Sequence, residues 1–232
     1  MYIGPTIIKD NLILCLDAAN PKSYPGTGLT WSDLSIYNNT NNGLLIGPTF
    51  NNLNNGALLF DGNDRVSLNN IIKTGNDFTV AAWVYITSFS IRNAIVGNSY
   101  NYSGKNGWLF TVSSGSPNPI GSFFLSMGKD NTYLASSSLL SLNRWVYLSA
   151  TCENGGNIIK LYKDGLRVGV KTTPYNGDIT YTYNQSNIGL RDISGTQDPF
   201  RGNISQVTVY NKVLTDIEIL QNFNALRNRF FI

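Results

Sequence analysis

Histidine is absent from the 232 residues, and glutamate nearly so, with Glu153 and Glu218 the only two. Without histidine there is no Ser-His-Asp triad, no Cys-His dyad and no H-E-x-x-H zinc site. A retaining glycoside hydrolase needs two carboxyls about 5–5.5 Å apart. Aspartate can fill that role, so scarce glutamate weakens a hydrolase reading without excluding it. Charge is scarce as well: 13% of the chain is Asp, Glu, Lys or Arg, against about 25% in an average domain. Disorder does not follow, because 11 Phe, 13 Tyr and 4 Trp are present and disordered chains lack aromatics. The net charge of +3, the pI of 8.8 and the absence of a Lys/Arg run speak against a nucleic-acid partner.

There are two cysteines, Cys15 and Cys152, with no metal-ligand spacing. They are expected to be buried thiols acting as small hydrophobes, with a disulfide as the minority reading. The opening Met1-Tyr2-Ile3-Gly4-Pro5 has neither the basic n-region nor the apolar h-region of a secretory signal. No apolar run reaches 18 residues, so no membrane-spanning helix and no membrane partner are expected.

Asn, Ser, Thr and Gly supply the polarity instead of charge. Between them lie many short apolar or alternating segments bounded by Gly, Asn, Pro or Asp, which is the signature of strands. These are 12–16, 57–60, 65–68, 78–86, 108–112, 122–127, 143–152, 158–162, 166–170, 186–190 and 203–210. Asp61-Gly62-Asn63-Asp64 is a strong turn signal. Lys163-Asp164-Gly165 predicts a tight hairpin corner. In 143–152, Trp145, Tyr147, Ser149 and Thr151 face one way and Val146, Leu148, Ala150 and Cys152 the other. Trp83, Trp108 and Trp145 fall in strand patterns and are expected in the core. One helix is expected near the C-terminus, opened by a Thr215-x-x-Glu218 capping box, with Ile217, Leu220, Phe223 and Leu226 as its apolar face. No linker divides the chain, so 1–232 is expected to form one all-β sandwich.

Several blocks carry a family resemblance. Leu14-Cys15-Leu16-Asp17-Ala18-Ala19-Asn20-Pro21 and Thr30-Trp31-Ser32-Asp33-Leu34-Ser35 resemble the start of LamG-like domains of the concanavalin A-like lectin/glucanase superfamily, as found in tailed-phage virion proteins. Leu59-Phe60-Asp61-Gly62-Asn63-Asp64 looks like that family's F-D-G-x-x-D corner. Arg144 to Thr151 followed by Lys160 to Gly165 is similar to its W-x-x-v-a-x-T…l-y-x-n/d-G hairpin. The stretch 200–215 looks like its closing strand, and Gln221 to Leu226 resembles its terminal helix. The match runs from about Leu12 to Arg229. It implies a jelly-roll sandwich of two antiparallel sheets with one short C-terminal helix. It also implies a virion location. Where the phage branch has an S-G-N-x-N-N-G loop, this chain has the more apolar Ser35-Ile36-Tyr37-Asn38-Asn39-Thr40-Asn41-Asn42-Gly43. The glucanase branch carries E-x-D-x-x-E, which neither Glu153 nor Glu218 can supply. The resemblance therefore implies binding without catalysis.

Two sets of residues are candidates for a site. Asp61, Asn63 and Asp64, completed by Asp192 and Asp198, offer the oxygen ligands calcium prefers; calcium is the one cofactor expected. The alternative is a tight turn whose Asp and Asn cap their own backbone. Tyr100, Tyr102, Tyr175, Tyr181 and Tyr183 stand in loops rich in Gly, Asn and Ser. A sugar ring has an apolar C–H face and a rim of hydroxyls, which an aromatic beside amides complements. The alternative is that these tyrosines pack on the sheet with only the hydroxyl wet. Asn-rich loops likewise suit either turn chemistry or hydroxyl recognition. The expected partner is therefore a glycan or polysaccharide. The apolar Phe230-Phe231-Ile232 segment could instead dock other virion proteins. A purely structural virion role without sugar binding is the second reading, and a polysaccharide hydrolase or lyase the third.

Overall fold

The computed structural model describes residues 5–36, 40–70, 72–98, 107–127, 133–172, 179–181, 185–191 and 198–232. Two antiparallel sheets of eight strands each pack face to face, with one helix near the C-terminus. The strands are β1 (Leu12–Asp17), β2 (Thr30–Trp31), β3 (Gly43–Ile46), β4 (Thr49–Asn51), β5 (Ala57–Asp61), β6 (Arg65–Leu68), β7 (Phe78–Ile86) and β8 (Asn93–Gly97). They continue with β9 (Trp108–Val112), β10 (Phe123–Met127), β11 (Tyr133–Ala135), β12 (Trp145–Glu153), β13 (Ile158–Lys163), β14 (Leu166–Thr172), β15 (Asn187–Ile188) and β16 (Arg201–Tyr210). The expected jelly-roll sandwich is thus the observed architecture.

The first sheet has the order β14-β13-β12-β7-β16-β5-β4, and the second β11-β10-β9-β8-β15-β6-β3-β2. Strand β16 takes β7 along one edge and two successive partners along the other: β5 at 201–204, then β1 at 206–210. The change of partner coincides with a bulge between Ile204 and Gln206. There Ser205 donates its hydroxyl to Gly56 O at 2.7 Å and accepts Ala18 N–H on its carbonyl at 2.8 Å. The bulge thus re-aims one strand so that it serves two neighbours.

Strands β7 and β12 are apolar on both faces because both faces are covered. Phe78, Val80, Ala82, Val84, Val146, Leu148, Ala150 and Cys152 join the core between the sheets, with Trp31, Phe60, Trp108 and Phe110. Trp83, Trp145 and Tyr147 point outward into a second cluster with Tyr162, Tyr210, Ile219, Phe223 and Phe230. Burying each such apolar side chain stabilises by roughly 1.5–3 kcal/mol. The lid of this second cluster is α1 (Asp216–Leu226) and the 3₁₀ turn after it (Arg227–Phe230). Phe230 stacks on Trp83 with centroids 4.0 Å apart.

The expected capping box is present: Glu218 N–H donates to Thr215 Oγ1 at 3.2 Å, and Thr215 N–H donates to Glu218 Oε2 at 2.8 Å. The helix face follows the sequence expectation at Phe223 and Leu226 and departs from it at Ile217 and Leu220. Ile219 and Phe223 are buried with Asn222, whereas Ile217 is 79% exposed. Asn222 explains the rotation. Its side chain accepts Ile8 N–H at 2.8 Å and donates to Tyr210 Oη at 3.1 Å, fixing a polar residue on the inner face. Cys15 and Cys152 are free buried thiols. Burial pushes the Cys15 thiol up to about 12 and raises Cys152 as well.

Candidate functional site

The sandwich has two ends, and the candidate residues divide between them. At one end Asp61-Gly62-Asn63-Asp64 carries the chain from β5 in the first sheet to β6 in the second. Asp61 Oδ1 accepts Asn63 N–H at 3.0 Å, and Asp64 Oδ2 accepts Asp61 N–H at 2.8 Å. Asp64 is 7% exposed, and burial raises its carboxyl pKa. A Cβ on Gly47 would lie 1.9 Å from Asp64 Oδ1, so the corner needs glycine there.

Arg201 pairs with Asp61 in the sheet and donates Nη1–H to the Asp61 carbonyl at 2.7 Å. Asp198 reaches the same end and lies 3.3 Å from Arg191 and 3.7 Å from Arg92. The structure therefore brings Asp61, Asn63, Asp64 and Asp198 to one end, but in the company of Arg65, Arg92, Arg191 and Arg201. Asp192 lies outside the described residues. Among the described residues no three His, Cys, Asp or Glu side chains converge on a point that could hold a metal ion. Among the described residues, the carboxylates that face this end cap backbone N–H groups or meet guanidinium groups.

The other end gathers the segments that flank the candidate tyrosines. Gly107 N–H donates to Thr180 O at 2.8 Å. The Tyr181 hydroxyl accepts Thr74 N–H at 3.0 Å, donates to Thr74 O at 3.0 Å and lies 2.7 Å from Thr74 Oγ1. Its ring packs half-buried against the core, and burial raises the phenol pKa. Tyr181 is thus tied to the protein by both ring and hydroxyl. Tyr100, Tyr102, Tyr175 and Tyr183 lie outside the described residues.

At this same end a cleft of about 310 Å³ opens, lined among the described residues by Ile13, Thr40, Asn41, Asn70, Ile72, Lys73 and Asn211. Its size falls at the lower limit of ligand sites. Each of its three asparagines spends one half of its amide on the fold. Asn41 Nδ2 donates to Ile13 O at 3.0 Å, Asn70 Nδ2 donates to Thr40 O, and Asn211 Oδ1 accepts Gly75 N–H at 2.6 Å. These bonds orient the amides and leave Asn41 Oδ1, Asn70 Oδ1 and Asn211 Nδ2 as two acceptors and one donor. Lys73 adds an ammonium donor and the half-buried Ile13 an apolar contact, while Ile72 beneath them belongs to the core. Such a set can bond hydroxyls from both sides and cover a C–H face. Asparagine-rich loops are the sequence signal for it, but their convergence depends on four segments far apart in the chain.

A larger groove of about 660 Å³ lies beside the helix, walled by Leu12, Leu34, Ile36 and Leu226. Asp17 and Arg229 pair within it, Arg229 donating to both Asp17 carboxylate oxygens at 2.7 and 3.1 Å, and Lys9 lines it as well. The two glutamates are also committed. Glu153 lies 3.9 Å from Lys160, and Glu218 is bound in the capping box and 2.9 Å from Lys212.

Residues 60–220 match the family described as the concanavalin A-like lectin/glucanases superfamily. No curated protein matches the sequence. Among solved structures, domain 4 of AbnA, a GH43 extracellular arabinanase from Geobacillus stearothermophilus in complex with arabinotriose, is 14% identical with a TM-score of 0.69. That match covers 94% of this chain and 100% of the domain. The binding domain of Paraclostridial Mosquitocidal Protein 1 is 19% identical with a TM-score of 0.68, over 94% of this chain and 52% of that one. Trypanosoma rangeli sialidase is 16% identical with a TM-score of 0.65, over 94% of this chain and 33% of that one. The chain thus spans the whole of the arabinanase domain, about half of the toxin binding domain and about a third of the sialidase. At these identities the likeness is one of fold.

Proposed function

The chain belongs to the concanavalin A-like lectin/glucanases superfamily, and from that premise we propose that it is a non-catalytic carbohydrate-binding domain. The observation that carries the proposal is the amide cleft, where Asn41, Asn70 and Asn211 are oriented by the fold and keep unused hydrogen-bonding groups beside Ile13 and Ile72. Two further facts support binding over hydrolysis. The family's E-x-D-x-x-E pattern is missing from the sequence. Both glutamates serve structural contacts. The resemblance of Leu14–Pro21 and the 59–64 corner to tailed-phage domains favours a place on a virion, as an adhesin or decoration protein recognising surface glycans.

Binding of the full chain to a panel of bacterial surface glycans, run with calcium and with chelator, tests the proposal. Saturable binding in both conditions, with no released saccharide product, is expected. Binding lost in chelator would return Asp61 and Asp64 to the site as calcium ligands. No binding by the folded protein in either condition would overturn the proposal.

A second reading has its own observation. Phe231 is 88% exposed while its neighbour Phe230 is buried. In this reading the C-terminal segment docks another virion protein and no sugar is recognised.

A further inference from the structure

The cleft holds one group that a neutral sugar does not require. Lys73 is the sole charged side chain among the described lining residues, and it is exposed. It makes no ion pair or hydrogen bond with another described residue. The described carboxylates on this side of the molecule are spent elsewhere. Asp10 and Glu218 hold Lys212 at 3.0 and 2.9 Å. Asp77 accepts Asn154 N–H at 2.7 Å. Among the described residues the positive charge of Lys73 therefore has no partner, and it stands beside three oriented amides. An ammonium in a concavity with apolar walls acts on an anion more strongly than one on open surface.

We infer that the cleft takes an acidic saccharide, with Lys73 meeting a ring carboxylate while Asn41, Asn70 and Asn211 bond the neighbouring hydroxyls. This rests on the carbohydrate-binding reading and narrows it to a substrate class. The ammonium is a compact point charge with rotatable donors, so it can follow a carboxylate without the fixed fork that arginine imposes. A net charge of +3 adds a long-range attraction for a polyanion.

The test uses the full chain against uronic-acid polysaccharides, each beside its carboxyl-reduced form, which keeps the hydroxyls and loses the charge. Reduction is expected to weaken binding roughly tenfold, as for a charge-assisted hydrogen bond. Lys73→Gln should weaken binding of the acidic form roughly tenfold and bring the acidic and reduced forms to about equal affinity. In about 1 M salt, where the screening length is near 3 Å, the two forms should converge. Equal affinity for acidic and reduced forms would overturn the inference and leave the cleft a neutral-sugar site. Binding confined to sulfated polymers would overturn the carboxylate assignment. No binding to any polysaccharide would overturn the inference together with the reading beneath it. Thermal unfolding of Lys73→Gln identical to wild type shows that its effect is on the ligand.

Discussion

Asp64 shows how a residue type that suits a metal can serve a turn. Its carboxylate accepts the Asp61 N–H at 2.8 Å and abuts Gly47. Burial raises its pKa, so charge is a cost at this position and the acceptor oxygen is what the fold uses. Asp64→Asn keeps an acceptor and removes the charge, so its stability should stay within about 0.5 kcal/mol of wild type or rise. Asp64→Ala removes the acceptor of the Asp61 N–H and should cost about 0.5–1.5 kcal/mol. Urea unfolding of the two variants, with and without calcium, checks this. A calcium-dependent stabilisation of wild type that Asp64→Asn abolishes would contradict the account. The sequence offers both a turn and a ligand reading of Asp61, Asn63 and Asp64, with the turn the favoured one. It could not show that Arg92, distant in the chain, comes within 3.7 Å of Asp198, where Arg191 of the same loop already lies at 3.3 Å.

At the scale of elements, features with local causes were legible and those with tertiary causes were not. The Lys163–Gly165 corner is a tight turn with Asp164 at φ 50° and Gly165 at φ 80°, the geometry an Asp-Gly pair favours. The capping box needs only Thr215 and Glu218. Strands β2, β3, β4 and β11 span two to four residues, too short for a periodic signal. β8 is buried at every position, so it shows no alternation. The helix start was readable from its cap, but its buried face only in part. Ile217 and Leu220 compete with Ile219 and Phe223 for the same stripe, and only the outward Trp83 and the Asn222–Tyr210 contact decide between them. Phe230→Ala should therefore cost about 3–5 kcal/mol, as for a large aromatic lost from a core. Ile217→Asn should change stability by less than about 0.5 kcal/mol. Equal losses in the two variants, measured by denaturant unfolding, would mean that the helix packs through the other face.

At the scale of the molecule, the described residues differ between the two ends of the sandwich. At the corner end Arg201 donates to the Asp61 carbonyl, and Arg191 and Arg92 face Asp198. The opposite end leaves amide groups of Asn41, Asn70 and Asn211 open around Lys73. The chain order hides this, because the cleft draws on residues 13, 40–41, 70–73 and 211 and only the sheet pairing brings them together. Family membership was visible in the sequence blocks and holds over residues 60–220. The position of the cleft was not visible.

The most direct measurement is the affinity of Asn41→Ala, Asn70→Ala and the double variant for the glycan that wild type binds best, by calorimetry. Each single change should weaken binding about five- to tenfold, and the double change more, at the cost of one net hydrogen bond each. Each change also removes a bond to the fold, from Asn41 to Ile13 O or from Asn70 to Thr40 O, so thermal unfolding should shift down by a few degrees with the protein still folded where binding is measured. Wild-type affinity in the double variant would contradict the account and move any binding surface away from this cleft.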